Sequence, residues 1–185
     1  MTEPKRRPSS SKLSNYAFID SQNLNLGIQK VGWKLNWRKF REFLRDRYNV
    51  EKAFMFIGYM PDNVELYEQM HEIGYLIVLK PTLEMYKNPA GSEDSKDDEK
   101  KAVKGNIDVD LTMYAVKEMP HYHKAIIVSG DGDFYSLIEF LKDRGKLLHI
   151  MAPNYQYSSL LKQFDDYVVR LDQFKRELRY YSRKS

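Results

Sequence analysis

Residues 125–152 read AIIVSGDGDFYSLIEFLKDRGKLLHIMA, and this stretch decides the fold. AIIVSG (125–130) is apolar at consecutive positions, the pattern of a strand buried on both faces. From Asp133 to Arg144 the apolar residues Phe134, Leu137, Ile138 and Leu141 fall at helical spacing, and Gly145 ends the run. KLLHIMA (146–152) is apolar again. Strand, helix and strand in so short a span make a parallel β-α-β unit, whose crossover is right-handed.

The same alternation extends outward in both directions. Upstream, YAFI (16–19) reads as a buried strand ending at Asp20, and AFMFIGY (53–59) and YLIVLK (75–80) as two more. Between them, NWRKFREFLRDRY (36–48) places Trp37, Phe40, Phe43 or Leu44, and Tyr48 on one helical stripe, with Asn36 as N-cap. Pro61-Asp62 opens a helix carrying Val64, Leu66, Tyr67, Met70 and Ile73, stopped by Gly74. Asn106 to Glu118 is helical in period. A short helix near 157–164, a strand at 167–171 and a basic helix at 172–181 complete the chain. The expected fold is α/β, a three-layer α/β/α sandwich with a mainly parallel sheet of five to six strands. Ligands in such folds sit at the carboxyl ends of the strands, at a topological switch point.

Composition sets the class. The 185 residues are 42% hydrophobic and 30% charged, the balance of one water-soluble globular domain. No run approaches the roughly 18 apolar residues of a membrane helix, and MTEPKRRPSSSKLS lacks the apolar stretch of a secretory signal. Cysteine is absent and the four histidines are scattered, which excludes disulfides, thiolate zinc sites and a cysteine nucleophile. A cytoplasmic protein with no membrane partner is expected. The basic charge lies at the ends. Lys5, Arg6, Arg7 and Lys12 against Glu3, and Lys175, Arg176, Arg179, Arg183 and Lys184 against Asp172 and Glu177, leave the body mildly acidic. The expected organisation is a flexible basic arm (1–14), one domain (15–171) with a flexible charged loop at 87–101, and a basic helix and tail (172–185).

Acidic residues mark the strand ends. Asp20 ends the first strand and is followed by Asn23; Asp131 and Asp133 follow the fourth; Asp108 and Asp110 open the helix after the charged loop. Carboxylates crowded at one rim repel, and a divalent cation relieves the repulsion. Oxygen ligands without Cys or His favour Mg²⁺ or Mn²⁺. Each acid also has a structural explanation: Asp20, Asp131 and Asp133 could cap helices, and Asp108 and Asp110 suit a helix N-terminus. The last two stand about 200° apart around the axis, so only one faces the rim squarely. On spacing alone the two explanations are level.

At these residues the chain resembles a known family. FIDSQNL (18–24), KGNIDVDL (104–111) and IVSGDGDF (127–134) are similar to the three motifs of NYN domains, PIN-like metal-dependent ribonucleases that include the LabA-like group. The resemblance runs from about Tyr16 to Pro153. It implies a PIN-like sandwich and phosphodiester cleavage in RNA at an acidic site built by Asp20, Asp108, Asp131 and Asp133, with Asp110 the least secure acid of the set. Asn23 and Ser129 match motif positions that would place ligands or phosphate, and Lys104 could meet a phosphate oxygen. Ser21-Gln22 departs from the Gly-Asn often found after the first aspartate, and the 87–101 loop is longer than a plain connection. Pairing into a homodimer is a further expectation from the family.

Acids alone repel RNA, so binding must come from the basic ends and from aromatics such as Trp33, Tyr59, Tyr86 and Tyr155, with Trp33 the foremost stacking candidate. A second class, a non-catalytic RNA-binding or protein-interaction module, stays open, with the acids serving as caps. Other chemistries fit less well. A haloacid-dehalogenase-type phosphatase needs D-x-D at the first strand, where Ser21-Gln22 follows Asp20. A receiver domain needs paired acids and a later lysine that are not evident, and a Toprim site lacks its glutamate. No phosphate-cradling glycine loop is present, and Ser129 has no paired histidine for a triad.

Overall fold

The computed structural model describes residues 13–58, 64–80 and 96–181, and the side chains of these except at 96–106. Six strands form one sheet: β1 (Asn15–Asp20), β2 (Val50–Gly58), β3 (Leu76–Lys80), β4 (Ala125–Val128), β5 (Leu147–Ala152) and β6 (Val168–Arg170). Their order is β3-β2-β1-β4-β5-β6, and every pair is parallel. The chain builds outward from β1 to one edge, then returns to β4 and builds to the other. β1 and β4 are therefore the switch point, where the strand ends leave a crevice between diverging connections.

The period of two along β1 divides the core. Ala17 and Ile19 face one layer, with Leu24 and Ile28 of α1 (Ser21–Lys30), Phe40, Phe43 and Leu44 of α2 (Trp37–Tyr48), and Met70 of α3 (Val64–Ile73). Tyr16 and Phe18 face the other, with Ile107, Leu111 and Ala115 of α4 (Lys96–Lys117), and Leu137, Ile138 and Leu141 of α5 (Tyr135–Asp143). Burying both faces accounts for the unbroken apolar strands. The expected three-layer sandwich with a parallel sheet is the observed one.

Local chemistry sets the joints. Asn36 caps α2, its side chain accepting from the Lys39 N–H at 3.1 Å, and Asn49 ends the helix in the left-handed region at φ 52°. The Arg41 guanidinium donates to the carbonyls of Gly74 (2.9 Å), Val50 (3.2 Å) and Glu51 (2.7 Å), tying α2 to the start of β2 and to the turn before β3.

Three expectations need correction. The charged stretch does not remain a loop to residue 101: α4 begins at Lys96. Lys, Asp and Glu sustain a helix without apolar periodicity once the following turns are docked on the sheet. The terminal helix expected at 172–181 is instead a 3₁₀ turn (Leu171–Phe174) and a four-residue α6 (Lys175–Leu178). It stops there because the chain turns back: Arg179 bridges to Leu35, the Asn36 N–H reaches the Leu178 carbonyl and the Tyr180 N–H reaches Lys34. Leu171 and Leu178 are buried in the core, so this segment packs on the domain rather than trailing from it. The helix near 157–164 is a 3₁₀ run, Ser159–Tyr167. The basic arm up to residue 12, the helix start at Pro61-Asp62, and 87–95 of the charged loop lie outside the described residues. No helix among the described residues is long and apolar enough to cross a membrane.

Candidate functional site

Asp20 is the last residue of β1 and is 4% exposed. One oxygen, Oδ1, caps α1 by accepting from the Asn23 N–H at 3.0 Å. The other, Oδ2, stands 3.5 Å from the Ser129 hydroxyl. Register explains the meeting, since Ile19 pairs with Val128 and the next residue of each strand emerges at the same edge. The capping explanation and the rim explanation therefore both hold for Asp20, one oxygen each.

The third motif closes onto the first. Ser129 is buried, and its hydroxyl oxygen accepts from the Asp131 N–H at 3.1 Å, leaving its proton to point toward Asp20. The Asn23 side chain accepts from the Gly130 N–H at 2.9 Å. Asp131 caps the turn Gly132–Phe134, with Oδ1 accepting from the Asp133 N–H at 3.1 Å. Asp133 itself is exposed. Gly132 is compelled by packing, because a β-carbon there would run into the Ser158 side chain and come within 3.0 Å of Leu160.

A cleft of about 450 Å³ opens at this edge. Asp20 and Asn23 line it from the first motif, Asp108 and Ile107 from α4, and Gly130 from the third. Asp131 and Asp133 are not among its lining residues. Asp110 points elsewhere, forming a half-buried ion pair with Lys80 at 2.8 Å. The Lys104 side chain lies outside those described. Among the described residues, no three acidic or histidine side chains gather closely enough to hold a metal between them.

The donor chemistry nevertheless suits a hard cation of one kind. Mg²⁺ keeps several waters and binds through one or two carboxylates together with substrate phosphate, rather than in an all-protein cage. Asp20 and Asp108 line one cleft and would offer such an ion two carboxylates, and Asn23 and Ser129 hold Asp20 and its surroundings in place.

Trp33 does not serve as a stacking surface. Its indole is 6% exposed and packs in the core with Leu35 and Phe40, because the returning residues 178–180 cover the loop it sits on. Tyr59 and Tyr86 lie outside the described residues. Tyr155 is exposed.

Sequence reasoning missed both walls of the cleft. One is α1, through Gln22, Leu26, Gly27 and Lys30; the other is the turn after β5, through Pro153, Asn154, Gln156 and Tyr157. Asn154 joins them, its Nδ2 donating to the Gly27 carbonyl at 2.6 Å. Gly27 allows the approach, since a β-carbon would stand 2.6 Å from Pro153 Cβ. The available signal was position alone: Pro153 follows the carboxyl end of a strand beside the switch point.

Comparison with known proteins agrees with this layout. The family model of the NYN domain matches residues 16–172. The chain is 26% identical over 137 residues to the low amplitude and bright protein LabA of Synechococcus elongatus, covering 72% of this chain and 69% of that protein. It also superposes on a crystal structure of a Vibrio parahaemolyticus protein of unknown function, with TM-score 0.63 and 21% identity, over 88% of this chain and 96% of the other. That likeness carries the fold.

Proposed function

The chain belongs to the NYN domain family, and from that premise we propose that it is a Mg²⁺- or Mn²⁺-dependent endoribonuclease acting on single-stranded RNA. The observation that carries the reading is the nearly buried Asp20 at the switch point, sharing one cleft with Asp108. Asp20 is held at a strand end by the Asn23 N–H and the Ser129 hydroxyl and lines a cleft with a second acid, the setting in which a carboxylate pair can serve a ligand.

In this reading Asp20 and Asp108 hold the cation, and Asp131 and Asp133 act at the rim when substrate is present. A bound Mg²⁺ or Mn²⁺ ion supplies an acidified water as nucleophile and offsets charge on the attacked phosphate. Ser129 and Asn23 keep Asp20 oriented through Oδ2 and through the Gly130 N–H. Lys30, on the wall of the cleft, offers a cation to the phosphate backbone. A cytoplasmic setting suits a chain without cysteine.

The test is cleavage of a labelled single-stranded RNA in Mg²⁺ or Mn²⁺, with and without chelator. Wild type should cut and chelation should stop it. Asp20→Asn should lower the rate by about 10²-fold or more with RNA affinity kept. An equal rate in Asp20→Asn would refute the assignment.

A second reading has one specific observation in its favour. Asp20 and Asp131 each cap a helical turn, and no three-acid cluster stands among the described residues. On that reading the domain binds RNA or a protein without cutting. RNA that binds and stays intact in Mn²⁺ would establish it.

A further inference from the structure

The turn after β5 is anchored at the cleft by hydrogen bonds. Asn154, itself 5% exposed, accepts from the Gln156 N–H at 2.7 Å and donates to Gly27 at 2.6 Å. Between these two anchors Tyr155 projects outward, 58% exposed. Its immediate neighbours Pro153, Asn154, Gln156 and Tyr157 line the cleft.

One side of the Tyr155 ring is backed by a cation. The Arg170 guanidinium lies 5.7 Å from the ring centroid. Arg170 is itself fixed, donating to Asp172 through Nε at 3.1 Å and a terminal nitrogen at 2.7 Å. Nearby on the cleft, the Tyr157 hydroxyl is held by Asp165 at 2.7 Å. Tyr155 is thus a large flat surface in water, its hydroxyl accepting from Gln156 Nε2 at 3.2 Å and a cation beside its ring. Such a surface gains little for folding, but a second ring can cover it at small entropic cost.

Resting on the ribonuclease reading, we propose that Tyr155, backed by Arg170, is the platform on which an unpaired nucleobase stacks when its strand crosses the Asp20–Asp108 cleft. The two acids in the cleft oppose the approach of phosphate, and Lys30 on its wall offsets them only in part, so contacts beside the cleft add to affinity. Stacking meets that need without charge. It is also tolerant of sequence, because every base presents a π-face. Two of the Arg170 donors are engaged by Asp172, which fixes the guanidinium beside the ring.

Fluorescence anisotropy with a labelled polyuridine strand of about ten nucleotides, in calcium to hold back cleavage, tests this. Tyr155→Leu should weaken binding roughly tenfold, and Tyr155→Phe less than about twofold, since the ring is retained. In Tyr155→Trp, unlabelled strand should quench the new indole emission by direct stacking. If wild type binds and Tyr155→Leu binds equally well, or the Tyr155→Trp emission does not move, the platform is refuted while the ribonuclease reading stands. If wild type binds no single strand at all, both fall together. Equal loss with a structured duplex RNA would also overturn the proposal, since paired bases have no free face to offer.

Discussion

The Ser129 hydroxyl stands 3.5 Å from Asp20 Oδ2, although the two residues are 109 positions apart in the chain. This contact joins the first acidic motif to the third across the switch point. Because the same hydroxyl oxygen accepts from the Asp131 N–H, one buried serine orients acids on two different connections. The placement of Asp20 therefore depends on the neighbouring strand as well as on the helix it caps.

Ser129→Ala removes both contacts and leaves the Asp131 N–H without this acceptor. A loss of about 1–2 kcal/mol is expected, with any RNA cleavage falling further than the stability change explains. Urea unfolding and cleavage rates measured side by side check it.

Gly27→Ala should destabilise by about 1–3 kcal/mol through overpacking. The new β-carbon meets Pro153 at 2.6 and 2.8 Å, so α1 and the turn after β5 must part. A melting temperature equal to wild type would show that the two walls are not held as described.

Arg41→Ala tests the fold apart from the site. Three carbonyls lose a charged donor, and about 2 kcal/mol of stability should go. Chemical denaturation should show the loss with Mn²⁺ binding unaltered in the folded protein.

His149 supplies a pH dependence. Burial lowers its pKa below the ordinary value, against a weaker opposing effect of its hydrogen bond to the Tyr167 carbonyl. Its ring also lies edge-on to Tyr48 at 5.2 Å. A depressed pKa means that the unfolded chain takes up the proton first. The stabilising contribution is complete above about pH 6.5 and is lost as the pH falls from there through the folded-state value. Melting temperature should therefore drop on acidification, and more steeply than in His149→Phe. Parallel curves for the two proteins would contradict this.

Much of the layout was legible in the chain, for reasons that particular residues make plain. Ala17, Ile19 and Tyr16, Phe18 are all apolar because both faces of β1 are covered, and that continuity signals a parallel sheet. Asn36 was readable as a cap because capping is local. The start of α4 at Lys96 was not readable, since its first turns lack the apolar stripe used to find helices. Trp33 looked like an exposed loop residue because its cover comes from residues 178–180, a long-range return that no local pattern encodes. The same holds for the site. Asp20 could be placed at a strand end, but the wall contributed by Asn154 depends on a contact with Gly27 and appears only in three dimensions. Spacing shows that only one of Asp108 and Asp110 can face the rim; the structure puts Asp110 in an ion pair with Lys80 and Asp108 on the cleft.

The most direct measurement is the anomalous signal of manganese in crystals grown with the ion. One peak should lie in the cleft, at coordination distance of about 2–2.5 Å from a carboxylate oxygen of Asp20 and, directly or through water, beside Asp108. Crystals saturated with manganese that show no peak in that cleft would contradict the account.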